Sequence, residues 1–382
     1  MRRTTPDHIL ACIMEANPLH RGHASLIQRA REETGATGLI ILLSGSFTQR
    51  GEAVVVDKYQ RAEDLMEHLG ADLILSHPLP TATAAGGDFA RGAATILHHL
   101  NVVDTLVCGS ECTDLSVFER AREAEKSGEF SPKLRSFMEE GFSYSVSFRK
   151  TLEALAPGTE EIFQSNALLS YGYYKALREE NSKTQLLILP RVDGPSASLL
   201  RAMSNEPLPH YPPEMLATAP QHPQGLLLQR LYRLQRWMMM EGRDLRALAG
   251  YEVGMGERIL RVMESSPSYE AFYQRVTTKR YSRGRVARLL LSGLLNITPR
   301  DIRDATVMAP LQVLRASARG LTILGRIQRE SAHHPIITNG HQIKKLPPRQ
   351  RELFLLEIKA AKLYSNLTDG GEILDYKNNP VV

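Results

Sequence analysis

Five short apolar runs, separated by stretches of helical character, limit what this chain can fold into more than any other feature of its sequence. The runs lie at residues 8–14, 38–44, 71–76, 104–110 and 184–190. Between them, as in ASLIQRAREET after the first run, apolar residues recur at three- and four-residue spacing, which predicts amphipathic helices. Because the runs are continuously apolar, they indicate strands buried on both faces of a parallel sheet. We therefore expect a doubly wound α/β domain.

A proline-rich segment marks the expected domain boundary. The stretch SNEPLPHYPPEMLATAPQHPQG, Ser204 to Gly225, holds six prolines and shows little periodicity. A chain of 382 residues also exceeds one ordinary hydrophobic core. We expect an α/β catalytic domain over residues 1–205, a linker over 206–224 and a basic, mostly α-helical domain over 225–382, with no strand pair beyond the linker.

Charge is distributed unevenly between the two halves. Residues 1–200 carry 20 Lys and Arg against 26 Asp and Glu, whereas the remainder carries 27 against 16. Such a split predicts that the second half meets a polyanion, with nucleic acid as the expected partner. No apolar run approaches the roughly 20 residues that span a bilayer. With no signal-peptide pattern either, the sequence predicts a cytoplasmic protein without a membrane anchor.

The segment KRYSRGRVARLLL concentrates the positive charge of the second half. It offers phosphate contacts from five cations and one possible stacking surface from Tyr281. A solvated helix face is the alternative, and the net charge of the second half favours RNA. The predicted RNA-binding residues are Lys279, Arg280, Arg283, Arg285 and Arg288.

Two histidines flank a glycine directly after the first predicted strand, in ANPLHRGHASLI from Ala16 to Ile27. Ligands of doubly wound sheets bind at the carboxyl ends of the strands, and a helix N-terminus favours anions. His20 and His23 could therefore donate to phosphoryl oxygens in adenylyl transfer. Two alternatives stay open on these residues alone: exposed or capping histidines, or a metal site built from His20, His23 and Glu15.

The stretch NPLHRGH resembles the HxGH signature of the nucleotidylyltransferase superfamily, which includes class I aminoacyl-tRNA synthetases. The stretch SASLLR, Ser196 to Arg201, resembles the second signature of the superfamily, a Ser/Thr-rich turn that ends in arginine. The resemblance implies a Rossmann-like sheet of the nucleotidylyltransferase type.

Four further segments resemble one family, the tRNA(Met) cytidine acetate ligases. They are SGSFTQRGEAVVVDKYQRAEDLMEHLGADLIL, VCGSE, QSNALLSYGYYKAL and KRYSRGRVARLLL. This resemblance implies an enzyme that uses ATP, with Mg²⁺, to convert acetate to acetyl-adenylate. The acetyl group then passes to the exocyclic amine of the wobble cytidine of elongator tRNA(Met), giving 4-acetylcytidine.

The family resemblance also implies roles for individual residues. His20 and His23 would be catalytic, binding the phosphoryl oxygens and the departing pyrophosphate, with Arg191 and Arg201 neutralising charge. Ser196 and Ser198 would donate hydroxyls, although simple helix capping is equally compatible with them. The implied ATP-binding residues are Ile13, Met14, Glu15, Ala16, Asn17, Pro18, Leu19, His20, Arg21, Gly22, His23, Ala24, Ser25, Leu26, Gly109, Asn166, Arg191, Ser196 and Ser198.

The chain departs from the family pattern within the histidine loop. Ala16 and Leu19 stand where Tyr and Phe are usual, and Arg21 stands where Asn is usual. A tRNA-binding protein with a decayed nucleotide site therefore remains an alternative, and a small-molecule adenylyltransferase is a second.

In DKYQRAE, Lys58 and Arg61 lie on one helix face. The family resemblance implies that they bind phosphate or RNA, and salt bridges with Asp57 and Glu63 are the alternative.

Overall fold

A single sheet organises the protein, whose computed structural model describes residues 7–191, 197–203, 215–216, 222–331 and 333–370. The five apolar runs form its first five strands, as the sequence predicts. The strands are β1 (Ile9–Met14), β2 (Gly38–Ser44), β3 (Leu73–His77), β4 (Thr105–Ser110), β5 (Gln185–Pro190), β6 (Leu311–Ala316) and β7 (Ile336–Ile337).

The strand order β5-β4-β1-β2-β3-β6-β7 confirms the doubly wound α/β prediction. Strands β1 to β5 run parallel, so their carboxyl ends share one edge. One face of the sheet packs on helices α4 and α8, and the other packs on α1 and α2. The helices up to residue 203 are α1 (Arg21–Thr34), α2 (Lys58–Leu69), α3 (Leu79–Ala82), α4 (Gly86–His99), α5 (Leu115–Lys126), α6 (Phe130–Glu139), α7 (Tyr144–Leu155), α8 (Ser165–Glu179) and α9 (Ala197–Met203).

The expectation of no strand pair beyond the proline-rich segment was wrong. Strand β6 pairs antiparallel with β3, and β7 pairs parallel with β6. Leu311, Val313 and Leu314 of β6 are fully buried, so this strand covers an edge of β3 that would otherwise expose unpaired backbone groups. The sheet is therefore built from both halves of the chain and is not confined to residues 1–205.

Helices otherwise predominate in the second half, as predicted. They are α10 (Gln224–Met240), α11 (Met255–Glu264), α12 (Tyr269–Val276), α13 (Arg283–Leu295), α14 (Pro299–Met308), α15 (Ala318–Glu330) and α16 (Pro348–Leu367). Helices α10 to α13 enclose a core of their own, centred on Tyr232, Met255 and Phe272. No helix in the described ranges is long and apolar enough to cross a membrane.

Candidate active site

The two histidines cap the helix that they begin. His20 is the N-cap of α1, and its Nδ1 accepts a hydrogen bond from the Gly22 N–H at 3.1 Å. The Nδ1 of His23 accepts from the His20 N–H at 3.3 Å. The ring centroids lie 3.9 Å apart. The capping alternative is thus realised, and it holds both imidazoles in fixed orientations.

Capping also determines which ring nitrogen carries the proton. A neutral imidazole whose Nδ1 accepts must hold its proton on Nε2, so both rings keep an Nε2–H donor for a ligand. Burial, and then the positive charge of Arg191, lowers the pKa of His20 to about 4. Burial and the neighbouring His20 lower the pKa of His23 to about 3. Both side chains are therefore neutral donors near pH 7.

The same contacts argue against a metal site built from His20, His23 and Glu15. Both Nδ1 atoms are occupied by backbone N–H groups, and the Glu15 carboxylate accepts from the Gln49 N–H at 2.7 Å. Burial raises the pKa of Glu15, against the effect of that hydrogen bond. Within the described part of the chain, no group of three or more His, Cys, Asp or Glu residues is arranged to hold a metal ion. The geometry favours phosphate binding by these histidines.

Two of the three altered loop residues face the protein interior. Ala16 is 1% exposed and Leu19 is fully buried, and both pack in the core between the sheet and α1. Ala16 also has a φ of 44°, a left-handed conformation that is rare for residues other than glycine and marks local strain. Because Ala16 and Leu19 are smaller than the usual Tyr and Phe, they change the packing beneath the loop. Arg21, by contrast, is exposed at the surface of the loop.

Arg201 positions the loop from behind. Its guanidinium donates to the Asn17 carbonyl at 2.6 Å and to the Ser198 hydroxyl at 3.1 Å. Only 7% of Arg201 is exposed. The structure therefore assigns it to supporting the loop, and not to the phosphate neutralisation that the sequence predicted. Ser198 itself is exposed, and Ser196 lies outside the described residues.

Arg61 joins the carboxyl ends of two strands. Its guanidinium is fully buried and donates to the carbonyls of Glu15 at 2.6 Å and Ser44 at 2.9 Å, and also to those of Gly45 and Val56. Lys58, 2% exposed, donates to Gln312 Oε1 at 3.0 Å. The phosphate or RNA role expected for Lys58 and Arg61 was wrong, because both side chains are buried against protein acceptors.

Glu111 accepts hydrogen bonds from two other residues that are predicted to contact ATP. Its Oε1 accepts from the Asn166 amide at 2.7 Å and from Arg191 at 3.2 Å, while its Oε2 accepts from the Ala167 N–H at 3.0 Å. Burial raises the pKa of Glu111, but these hydrogen bonds outweigh it and the pKa is lowered. Asn166 keeps its carbonyl oxygen for a ligand, because its amide N–H bonds Glu111.

Gly109 lies between the histidine helix and the end of β5. A Cβ added there would lie 3.7 Å from Arg191 Cγ and 3.9 Å from Leu26 Cδ1. The structure therefore brings together the loop, Gly109, Asn166 and Arg191 at the carboxyl edge of the sheet. Sequence reasoning missed Glu111, although it follows Gly109 by two positions in the VCGSE turn.

Part of the proline-rich segment also touches the loop. Met215 forms an isolated antiparallel bridge with His20, and the Leu216 N–H donates to the Leu19 carbonyl at 3.2 Å. The segment was expected to act as a linker, and that boundary stays a prediction. The sequence did not show that residues 215–216 pair with the histidine loop.

The basic segment contacts the turn that follows β2. Gly51 has a φ of 76°, and a Cβ there would lie 2.8 Å from Ala287 C and from Arg288 N. Arg288 donates to the Gln49 carbonyl at 3.4 Å, and Arg283 lies 3.8 Å from a Glu52 carboxylate oxygen. The turn therefore connects the histidine loop, through Glu15, to the N-terminal half of α13.

The predicted RNA-binding residues differ in how they are engaged. Arg280 and Arg285 pair with Glu252, and Arg283 stacks on Tyr269 and Tyr273. Lys279, Arg280 and Arg283 are exposed, whereas burial and the nearby Arg285 lower the pKa of Arg288 to about 10. Tyr281 is 8% exposed and donates to the Val253 carbonyl at 3.2 Å, so it does not offer the expected stacking surface.

Comparison with known proteins agrees with this geometry. The family model described as HIGH Nucleotidyl Transferase matches residues 8–378. The fold and the histidine loop define a nucleotidyl transferase of the HIGH class, and the chain belongs to that family.

Relatives place the chain more closely. A tRNA(Met) cytidine acetate ligase of Syntrophotalea carbinolica is 31% identical over 94% of this chain and 94% of its own. One of Acetivibrio thermocellus is 25% identical over 97% and 95%. The crystal structure of Thermotoga maritima TmcAL bound with alpha-thio ATP is 25% identical, with a TM-score of 0.85 over 96% of each chain. Within the HIGH class, this chain belongs to the tRNA(Met) cytidine acetate ligase family and is an ATP-dependent ligase.

Proposed function

We propose that this protein activates acetate with ATP and acetylates the wobble cytidine of elongator tRNA(Met) in the cytoplasm. The observation that carries the proposal is the pair of neutral imidazoles held at the N-terminus of α1, each with an Nε2–H available to a phosphate. The names of the relatives supply the tRNA and the acetate. The small-molecule alternative has no use for the basic second half, and the intact histidine pair argues against a decayed site.

The first step joins acetate to the α-phosphate of ATP. An acetate oxygen attacks the α-phosphorus, the bond to the bridging oxygen breaks, and pyrophosphate leaves with that electron pair. His20 and His23 donate from Nε2 to the phosphoryl oxygens as charge develops. Asn166, held by Glu111, takes the nucleoside side of ATP, and Arg191, whose positive charge acts on His20, neutralises phosphate charge beside the histidines. Mg²⁺, when bound together with ATP, would be held mainly by the triphosphate and by water, as is usual for this ion.

The second step transfers the acetyl group to RNA. The cytidine amine attacks the acetyl carbonyl, the carbon–oxygen bond to AMP breaks, and the amine loses a proton. The wobble base must leave its stack to reach the sheet edge. The exposed cations Lys279, Arg280 and Arg283 hold the tRNA backbone, whereas Arg285 and Arg288 fix the N-terminal half of α13, which begins at Arg283.

A direct assay tests the function. The protein is incubated with ATP, labelled acetate and tRNA(Met), and pyrophosphate release and label on RNA are followed. Both products are expected. Pyrophosphate release without RNA labelling indicates a small-molecule adenylyltransferase, and tRNA binding without either product indicates a binding protein.

Adenylate formation is expected to show no titration near pH 6.5. Burial lowers the pKa of both histidines, to about 4 and about 3, so protonation and loss of the helix caps begin only near those values. The rate of pyrophosphate release in a single turnover, measured from pH 8 down to pH 5.5, checks this, with circular dichroism confirming that the fold persists. An inflection near pH 6.5 that disappears in His20→Gln would contradict the assignment.

Removing exposed cations is expected to weaken tRNA binding with little effect on adenylate formation. In Lys279→Ala with Arg280→Ala, the slope of log K against log salt concentration should shrink by about 0.7 to 0.9 for each phosphate that the protein no longer neutralises. Arg246→Ala is the control, because Arg246 is exposed on the same half and paired with Asp244. Equal salt dependence of the double variant and the wild type would place the tRNA elsewhere.

A further inference from the structure

Arg50 lies on a turn that is fixed from several sides. The Gly51 N–H donates to the Thr48 carbonyl at 2.9 Å, closing the turn, and the Thr48 N–H donates to the Glu52 carbonyl at 2.9 Å. The Gln49 amide side chain donates to the Ala84 carbonyl at 3.1 Å. With Gly51 against the α13 backbone, the turn has little freedom to move, so the position of Arg50 is set in advance of ligand binding.

The Arg50 side chain is exposed and makes no hydrogen bond or ion pair with any residue in the described ranges. Three other arginines near the turn are engaged: Arg61 and Arg201 donate to backbone carbonyls, and Arg283 donates to the Tyr269 hydroxyl. An arginine held in place with its planar donor fork unused is suited to a phosphate.

The turn brings Arg50 beside the histidine loop, because the N–H of the preceding residue, Gln49, donates to the Glu15 carboxylate at 2.7 Å. Burial is the largest influence on the raised pKa of Glu15 and on the lowered pKa of Arg201, and the positive charge of Arg50 acts on both groups. Glu15 is the first residue after β1. Arg201 donates to the carbonyl of Asn17, two positions after Glu15 in the loop. Arg201 is buried against the loop, so Arg50 is the exposed guanidinium of this pair that an anion can reach.

The strand order then distinguishes which part of ATP this anion is. Gly109, Asn166 and Arg191 lie at β4 and β5, the histidines follow β1, and Arg50 follows β2. A nucleotide with its nucleoside at β4 and β5, and its α-phosphate over the histidines, extends its β- and γ-phosphates toward β2. The neutral imidazoles carry no net charge, so stabilisation of the departing pyrophosphate depends on cationic side chains around the loop.

We propose that Arg50, whose backbone lies on a turn fixed between the histidine loop and α13, binds the β- and γ-phosphates of ATP and stabilises pyrophosphate as it leaves. This inference rests on the proposed function. In the step concerned, acetate forms the bond to the α-phosphorus, the bond to the bridging oxygen breaks, and the charge gained by pyrophosphate is met by Arg50.

The test compares ATP with AMP in the full-length protein. In Arg50→Ala, the affinity for ATP is expected to fall about tenfold or more while the affinity for AMP stays unchanged, because AMP lacks the β- and γ-phosphates. Acetate-dependent exchange of pyrophosphate into ATP, measured without tRNA, should slow about 10- to 100-fold, with Arg50→Lys between the two. Arg329→Ala is the matched control: Arg329 is exposed near the end of α15, beside the Asn101–Glu330 contact.

Other outcomes overturn the inference. Equal loss of ATP and AMP affinity would show that Arg50 positions the loop. A raised KM for acetate alone would assign it to the acetate carboxylate, and a raised KM for tRNA alone would assign it to the RNA backbone. Because ATP and AMP binding need no acetate, this readout separates failure of the inference from failure of the proposed function, which would appear as a wild type without acetate-dependent exchange.

Discussion

His23→Ala is expected to slow adenylate formation about 100- to 1000-fold, the usual effect of removing one donor aimed at developing charge. The variant loses the Nε2–H and also the Nδ1 that accepts from the His20 N–H at 3.3 Å, so His20 loses its fixed orientation as well. Acetate-dependent pyrophosphate release measures the loss. Affinity for tRNA should stay close to that of the wild type, because the basic residues of α13 are untouched.

A second substitution separates capping from phosphate binding. In His23→Asn, the amide oxygen can replace Nδ1 as the acceptor, but no donor reaches the position of Nε2. The expected result is near-normal stability with activity as low as in His23→Ala. His68→Ala controls for loss of an exposed histidine in the last turn of α2. Activity of His23→Asn within threefold of wild type would refute the role of Nε2.

Arg61→Met is expected to lower the free energy of unfolding by about 3 to 5 kcal/mol. The substitution leaves the carbonyls of Glu15, Ser44, Gly45 and Val56 without the guanidinium that they share, and a buried acceptor without a partner is costly. Urea denaturation followed by circular dichroism measures the change.

Matched variants make the Arg61 result specific. Arg61→Lys keeps the charge but not the planar set of donors, so an intermediate loss is expected. Arg91→Met removes an arginine whose pairing with Asp88 is largely exposed, and it should change stability by less than about 0.5 kcal/mol. A loss in Arg61→Met no larger than in Arg91→Met would mean that this hydrogen-bond network contributes nothing measurable.

Local patterns predicted the part of the fold that local interactions specify. Strands β1 to β5 were each visible as a continuous apolar run, because a strand buried on both faces cannot alternate. Strand β6 was missed: its run is short and follows a helical stretch, and its partner β3 lies more than 230 residues earlier. Nothing in the sequence LQVLRA indicates that this strand will cover the edge of a sheet formed by the other half of the chain.

The candidate site shows the same division. His20, Gly22 and His23 were found from sequence because they are close together and begin a helix. The roles of Arg61 and Arg201 were misjudged, since charge alone suggests phosphate binding. In the structure both side chains are buried and donate hydrogen bonds to backbone carbonyls. Tyr281 was misjudged for the related reason that exposure of an aromatic side chain is set by packing between helices.

The sequence by itself determined the α/β class, the strand–loop–helix unit that holds the histidines and the charge difference between the halves. These depend on periodicity, spacing and composition, which neighbouring residues carry. Only the tertiary structure decided that Glu111 aligns Asn166 and Arg191, that Arg61 closes the loop beneath the histidines, and that the Gln49–Gly51 turn joins the site to α13. The physical reason is that these hydrogen bonds satisfy polar groups with partners 34 to 239 positions away along the chain, from Gln49–Glu15 to Arg288–Gln49.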